Sequence, residues 1–148
     1  MSLIGSHNLY QEVILTLNNS PLNYGKIDGH CAKTIYHNQM CGDTVELHVI
    51  FSEHEEFTIE KILFSGESCA ITKASASLMT TAIKGKNINQ TMDIIKAFRN
   101  LIDNRHSQTE EKDLGKLNIF KSLEKYPSRY NCAILPWKAL EQLFEEEI

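Results

Sequence analysis

The stretch from Phe64 to Lys86 most constrains the fold, because a strand-like apolar run gives way there to a helix of small residues. The apolar run stops at Ser65-Gly66, and Cys69 follows where the helical pattern begins. The free N–H groups and the dipole at a helix N-terminus favour a thiolate. Gly85 suits the position just after the helix end. The pattern therefore predicts a central helix with a reactive or metal-binding thiol at its positive end.

Length and charge restrict the class of protein. A chain of 148 residues has the size of one domain, and we expect residues 1–148 to form one. The net charge of −4 gives no reason to expect a nucleic-acid partner. No apolar run approaches the roughly 20 residues of a membrane span, and the N-terminus lacks a signal-peptide pattern. We therefore expect a cytoplasmic protein with no membrane partner, whose four cysteines are reduced rather than paired.

The hydrophobic pattern predicts a small sheet followed by helices. Thr44–Ser52 alternates apolar and polar residues most clearly. Three consecutive strands with short links favour an antiparallel meander with one covered face. The predicted strands are His30–His37, Thr44–Ser52 and Phe57–Phe64. Besides the central helix, three helices are predicted: Leu9–Leu17, Asn89–Asn104 and Leu135–Phe144. Met92 is predicted to face inward, and a solvated tail at Glu145–Glu147 follows the last helix.

Two segments between the helices are predicted to be less regular. Asp103–Asp113 is predicted to be a solvated linker, and Leu114–Leu123 a short amphipathic segment.

Three cysteines fall at the ends of predicted elements, where ligands and nucleophiles are commonly placed. Cys41 lies between the first two strands, Cys69 opens the central helix, and Cys132 precedes the last helix. None belongs to a C-x-x-C pair, so the spacing alone is a weak metal signal. Any one free cysteine is more often a plain buried residue. Asp43 is either a fourth ligand from the loop of Cys41 or an ordinary turn residue.

Other residues near these cysteines carry weaker signals. Cys31 lies inside a strand-like run and is predicted to be a core or surface residue. Arg129, three residues before Cys132, is either a solvated charge or a cation that stabilises a thiolate. Pro136 indicates that the last helix begins close to it, with Cys132 on the preceding turn. No histidine is assigned to a metal.

Cys41-Gly42-Asp43, the run from Gly66 to Ser77 and the run from Cys132 to Leu140 together resemble the NifU N-terminal/IscU/SufU family of iron–sulfur cluster assembly proteins. The resemblance extends from Leu9 to Leu140. The IscU branch has a Leu-Pro-Pro-Val-Lys motif and a histidine just before its third cysteine. This chain has neither, and it carries an inserted segment at about residues 112–129 that resembles the SufU branch.

The resemblance implies an α/β (α+β) fold with a three-stranded antiparallel sheet covered on one face by helices. It also implies a metal site made by Cys41, Asp43, Cys69 and Cys132, which holds zinc in SufU-like proteins. The implied function is to accept persulfide sulfur from a SufS-type cysteine desulfurase and to serve downstream iron–sulfur assembly proteins. Three thiolates and a carboxylate outweigh the charge of zinc, so Arg129 is the candidate cation that supports the site.

Cys41 is the predicted sulfur acceptor among the three thiols. Cys69 and Cys132 lie at predicted helix starts, where backbone donors hold a thiolate in place and lower its nucleophilicity. Gly42 permits backbone changes beside Cys41 that the other two positions cannot make cheaply.

Alternative functions remain open at this stage. The same ligands could instead carry a transient [2Fe–2S] cluster on a true scaffold, or a purely structural zinc in a non-catalytic adaptor. A zinc deaminase is disfavoured because no Pro-Cys-x-x-Cys is present, and a Cys/His hydrolase because no histidine is placed to suggest a Cys/His pair. Whether the protein is a zinc-dependent sulfurtransferase or a non-enzymatic scaffold is undecided. The chain departs from the family pattern at Thr16-Leu17-Asn18, Leu22 and Gln39, where the family has Asp-His-Tyr, Arg and Pro.

Overall fold

The computed structural model describes residues 3–40, 42–103 and 112–148. Cys41 and most of the predicted linker at Asp103–Asp113 lie outside these ranges. In chain order, the elements are α1 (Leu3–Asn19), β1 (Ala32–His37), β2 (Thr44–Phe51), β3 (Ile59–Ser65), α2 (Ala70–Ile83), α3 (Ile88–Asp103), two 3₁₀ segments (Lys112–Lys125 and Pro127–Arg129) and α4 (Tyr130–Glu147). None of the helices in the described part of the chain is long and apolar enough to cross a membrane.

The three strands form one antiparallel sheet in the order β1-β2-β3. Leu47 at the middle of β2 lies opposite Thr34 on β1 and Phe64 on β3. These three residues are buried, as are Val45 and Val49 on the same face of β2. The predicted meander and the α+β class are therefore confirmed.

Helices α2 and α4 cover the buried face of the sheet. α4 packs on β1 and β2, α2 packs on β3, and the two helices contact each other along their length. Behind them, Trp137 of α4 stacks on Phe98 of α3 with ring centroids 4.4 Å apart. Both side chains are fully buried. The core therefore continues from the sheet through α2 and α4 to α3.

The last helix begins earlier than the sequence predicts, and a hydroxyl of α2 contacts the carbonyl whose helical donor Pro136 removes. A proline inside a helix lacks the N–H that would bond the carbonyl four residues earlier, here that of Cys132. The hydroxyl oxygen of Thr72 lies 3.0 Å from this carbonyl oxygen, and the Ser75 hydroxyl donates to the next one, on Ala133, at 2.6 Å. The prediction of Leu135–Phe144 is therefore wrong at its start, and Cys132 lies in the first turn of α4.

Other element limits also differ from the predicted ones. α1 begins at Leu3, six residues before the predicted start, and α4 continues through the exposed tail Glu145–Glu147. β1 begins two residues later than predicted, at Ala32. Met92 was predicted to face inward but is 42% exposed, and the buried positions at this end of α3 are Thr91 and Ile94. Gly85 follows α2 with a φ of 83°, as the sequence predicts.

Gly66 allows the segment after β3 to run directly against the start of β2. Its φ is 120°, and a Cβ built on it would lie 2.3 Å from the carbonyl oxygen of Thr44. The Thr44 N–H donates to the carbonyl of Glu67 at 2.8 Å, so the two backbones are joined here. This close approach brings the residues just before α2 beside Asp43.

We expect Gly66→Ala to destabilise the protein more than Gly29→Ala. Gly29 also has a positive φ, 91°, but no atom lies within 4 Å of the Cβ that alanine would add. Gly29→Ala should therefore cost only backbone strain, of order 1–3 kcal/mol, whereas Gly66→Ala adds a clash with a backbone oxygen. Urea unfolding of the two variants and the parent measures the difference. Equal losses of stability would show that the approach to Thr44 imposes no constraint.

Candidate metal centre

Three potential ligands from three separate segments meet at one end of the sheet. Asp43 precedes β2, Cys69 lies just before α2, and Cys132 is in the first turn of α4. One carboxylate oxygen and the two sulfurs all lie within 4.8 Å of one another. Asp43 and Cys132 are buried and Cys69 is half-buried. The fold thus brings together three of the four residues that were predicted as ligands.

The fourth predicted ligand, Cys41, lies outside the described residues, but the loop around it is defined. The Asn38 N–H donates to the Asp43 carbonyl at 2.9 Å, and the Gly42 N–H donates to the Asn38 carbonyl at 2.8 Å. Gly42 has a φ of 77°, which favours glycine. Met40, on the other side of Cys41, is 87% exposed. Backbone hydrogen bonds therefore join Asn38 to Gly42 and Asp43, the described residues that precede and follow Cys41 in sequence.

Asp43 is held by one of its two carboxylate oxygens. Its Oδ2 accepts a hydrogen bond from the Cys69 N–H at 3.1 Å and lies 2.8 Å from the Thr72 hydroxyl oxygen. Cys69 occupies the N-cap position of α2, yet its side chain makes no capping hydrogen bond. Asp43 therefore satisfies a backbone donor at this helix end that the Cys69 side chain does not cap.

The chemistry of these three side chains suits zinc. Cysteine sulfurs and a carboxylate oxygen are among its usual ligands, and a fourth ligand completes a tetrahedron. In a tetrahedron with zinc–sulfur distances of about 2.3 Å, two sulfurs on one ion lie about 3.8 Å apart. The separations in the observed cluster have an upper limit of 4.8 Å, about 1 Å above that spacing. Cys41, from the same loop as Asp43, would be the fourth ligand.

Tyr10 of α1 has a buried hydroxyl without a partner. The residue is 5% exposed, and its hydroxyl has no hydrogen-bond partner within the described ranges. Its ring stacks on Tyr126 with centroids 6.2 Å apart. Burial raises the pKa of Tyr10 to about 12, and Tyr126 adds to the rise. Negative charge on Cys69 and Cys132 raises this pKa further, so Tyr10 interacts electrostatically with both thiols.

Arg129 lies just before the helix that carries Cys132. It is the N-cap residue of α4, its side chain is exposed, and its backbone N–H donates to the Tyr126 carbonyl at 2.9 Å. Its guanidinium charge lowers the pKa of Tyr10, whereas the two thiols raise it. Arg129 therefore stays a candidate for offsetting the negative charge of the site.

Cys31 and His48, which the sequence analysis did not assign to a metal, lie outside the cluster. Cys31 is half-buried just before β1 and is not part of the cluster. The most buried histidine, His48, uses both ring nitrogens on the other face of the sheet. The Ile27 N–H donates to its Nδ1 at 2.9 Å, and its Nε2 contacts Glu46. These partners occupy His48, in agreement with leaving the histidines unassigned.

The sequence analysis missed Thr72, whose hydroxyl oxygen touches all three segments of the cluster. Besides Asp43 Oδ2 and the Cys132 carbonyl, the Cys69 sulfur lies 3.5 Å away. The side chain is fully buried. A hydroxyl three residues after the thiol at a helix start lies on the same helix face, and this spacing is the signal that could have identified it.

With this geometry in place, comparison with known proteins identifies the class. Residues 9–133 match the family described as the NifU-like N-terminal domain, and the chain belongs to that family. The fold agrees, because the N-terminal domain of a NifU-like protein from Brucella abortus superposes with a TM-score of 0.79 over 99% of this chain and 100% of that one, at 19% identity.

Relatives with higher sequence identity include proteins named SufU and IscU. The zinc-dependent sulfurtransferase SufU of Bacillus subtilis is 34% identical over 134 residues, which cover 90% of this chain and 88% of that protein. The iron–sulfur cluster assembly scaffold protein IscU of Streptococcus pyogenes is 32% identical over 142 residues, 96% of this chain and 86% of that protein. The crystal structure of FiSufU from Fervidobacterium islandicum AW-1 has a TM-score of 0.80 at 31% identity, covering 91% of this chain and 96% of that one.

We expect Tyr10→Phe to remove part of the alkaline destabilisation of the protein. The pKa of Tyr10 is about 12 in the folded state against an ordinary 10.0, so the folded state holds this proton more tightly. The resulting stabilisation is complete below pH 10 and is lost as the pH rises toward 12. At neutral pH the variant should be as stable as the parent or more so, because burying an unsatisfied polar group costs about 1–3 kcal/mol.

Urea unfolding of the metal-free protein between pH 8 and pH 12 tests this expectation. Tyr24→Phe is the matched control, since Tyr24 is 47% exposed and its hydroxyl is not among the buried unsatisfied groups. A Tyr10→Phe profile that falls as steeply as that of the parent would contradict the assignment.

Proposed function

We propose that this protein accepts persulfide sulfur from a cysteine desulfurase of the SufS type at a zinc site, and that it serves iron–sulfur cluster assembly. The observation that carries the proposal is the convergence of Asp43, Cys69 and Cys132 to within 4.8 Å. The 34% identity to a zinc-dependent sulfurtransferase over 90% of the chain supports zinc and sulfur transfer. Cys41 completes the proposed ligand set. The cytoplasmic location, expected because the sequence shows no membrane span or signal-peptide pattern, stays a prediction.

A mixed ligand set favours a site that exchanges ligands over one that is only structural. Structural zinc sites are usually closed and rich in sulfur, and functional sites keep an exchangeable position. Here a carboxylate replaces the fourth sulfur, and Cys69 is only half-buried. When bound, zinc keeps the cysteine sulfurs deprotonated and ready as nucleophiles.

The proposed transfer moves one sulfur atom with no net oxidation or reduction. The Cys41 thiolate attacks the outer sulfur of the persulfide on the desulfurase cysteine. A sulfur–sulfur bond forms on Cys41, the sulfur–sulfur bond of the donor breaks, and the donor cysteine leaves as a thiolate. The proton balance is closed because the leaving thiolate takes up the proton that Cys41 gave up. The loop position of Cys41 beside Gly42 supports its choice as the acceptor, since both other thiols are attached to helix starts.

A scaffold function is the second candidate. The IscU scaffold relative is 32% identical over 96% of this chain, and cysteine thiolates are the usual ligands of iron–sulfur clusters. In that case the same ligands would hold a transient [2Fe–2S] cluster and pass it to downstream assembly proteins. Metal analysis of protein purified without added metal distinguishes the two candidates, because one requires zinc and the other requires iron with acid-labile sulfide.

We expect the purified protein to contain about one zinc per chain, held by four ligands. Cys69→Ser and Cys132→Ser should each lose most of this zinc and melt at a lower temperature, because metal binding contributes to folding stability. Cys31→Ser is the matched control, since Cys31 is half-buried but lies outside the cluster. Elemental analysis and thermal unfolding measure both effects, and full zinc occupancy in Cys69→Ser or Cys132→Ser would show that the ligand set is wrong.

We expect Cys41→Ser to abolish activation of a SufS-type desulfurase while binding to it persists. The reason is that serine removes the acceptor thiol but changes only one atom of the surface that the desulfurase would contact. Mass spectrometry after incubation with desulfurase and cysteine should find the added sulfur on the peptide that contains Cys41. Sulfur found mainly on the Cys69 or Cys132 peptide, or normal activation by Cys41→Ser, would reject this assignment. Absence of sulfur loading on any peptide would favour an adaptor with a structural zinc.

A further inference from the structure

We propose that Thr72 is the positioning residue of the metal centre. Its hydroxyl donates a hydrogen bond to Asp43 Oδ2, and Asp43 Oδ1 is then the oxygen that binds the metal. This inference rests on the proposed zinc site. It concerns a residue that is not a ligand and that acts through the ligands around it. Its tests below therefore compare variants with and without the hydroxyl.

Thr72 is the hydrogen-bond donor in its contact with Asp43. A hydroxyl has one proton to donate, and both the carboxylate and the backbone carbonyl near it only accept. Asp43 Oδ2 is at 2.8 Å and the Cys132 carbonyl oxygen at 3.0 Å, so the two share this proton. The carboxylate carries the greater negative charge and makes the stronger, charge-assisted bond.

A second donor acts on the same oxygen. The Cys69 N–H lies 3.1 Å from Asp43 Oδ2, so this oxygen accepts from α2 twice. With Oδ2 committed to these donors, a metal held by Cys69 and Cys132 would be bound by Oδ1. Asp43 would then bind through a single oxygen, and its orientation would be set by α2 rather than by the metal.

The same hydroxyl ties the two thiol-bearing segments to each other. Thr72 is on α2 one turn after Cys69, and its oxygen contacts both the Cys69 sulfur and the Cys132 backbone. Full burial excludes water as a substitute for the lost contacts. Removal of the hydroxyl would therefore loosen Asp43 and the spacing between the two sulfurs together. Outer-shell partners of this kind typically contribute 10–100-fold to metal affinity.

Ser75 provides a matched control on the same helix. It is fully buried, its hydroxyl donates to the Ala133 carbonyl at 2.6 Å, and it accepts from the Trp137 indole N–H at 3.0 Å. Like Thr72, it satisfies a carbonyl in the first turns of α4. In contrast to Thr72, its hydrogen bonds in the described part of the chain involve no proposed ligand. Ser75→Ala therefore reports the loss of an α2–α4 hydrogen bond without a change at Asp43.

The experiment makes two measurements on each variant. Chelator competition gives the zinc affinity, and the visible absorption spectrum of the Co²⁺-loaded protein reports the ligands around the metal. Thr72→Val keeps the shape of the side chain and removes the hydroxyl, and we expect its zinc affinity to fall about 10–100-fold. Its Co²⁺ spectrum should shift as the carboxylate changes its binding. Thr72→Ser should recover most of the affinity and the parent spectrum. Ser75→Ala should lower the melting temperature but keep both the affinity and the spectrum.

Each outcome decides the proposal. Parent-like affinity and spectrum in Thr72→Val, or an equal loss in Ser75→Ala, would overturn the role of Thr72 and leave the zinc site standing. Failure of the parent itself to bind zinc or Co²⁺ would overturn both proposals. If Thr72→Val does not fold, Thr72→Ser and Thr72→Ala carry the comparison, since these two differ only by the hydroxyl oxygen. Equal affinity in that pair would reject the inference.

Discussion

The contact between α2 and α4 is the interaction on which the rest of the structure depends. Pro136 leaves the first turns of α4 short of a hydrogen-bond donor, and Thr72 and Ser75 of α2 supply hydroxyl groups to the carbonyls of Cys132 and Ala133. An unsatisfied buried carbonyl at Cys132 would cost about 1–3 kcal/mol, so the contact with α2 stabilises the start of α4. This pairing covers the sheet and also fixes Cys132 relative to Cys69.

Close contacts between backbone segments position the site, together with its side chains. Gly66 lets the segment after β3 touch Thr44, and the resulting backbone hydrogen bond places Asp43 beside the N-terminus of α2. Asp43 then accepts the Cys69 N–H, which satisfies one of the unpaired donors at the helix start. The ligand cluster is therefore a result of how β2, β3 and α2 meet, and its polar contacts are part of the fold.

Sequence patterns predicted the sheet and the helix order because alternation and helical spacing are local signals, clearest in Thr44–Phe51. They failed where a distant partner decides the structure. Pro136 reads locally as a helix start, and the hydroxyls of α2 that contact the first turns of α4 come from a distant segment. Cys69 and Cys132 were candidates because of their positions at element ends. Their assignment with Asp43 to one metal site came from the family resemblance, since the sequence pattern alone left Asp43 as either a ligand or a turn residue. Thr72 was missed because its role depends on contacts with residues 29 and 60 positions away.

The order of the ligands along the chain has a consequence for biosynthesis. Asp43 and Cys69 leave the ribosome well before Cys132, which belongs to the last helix. A nascent chain thus has two of the three clustered residues and cannot complete the cluster until α4 has been made and docked on α2. A chain truncated before α4 would carry Asp43 and Cys69 without Cys132, and its Cys69 thiol would lack the neighbours that the fold provides.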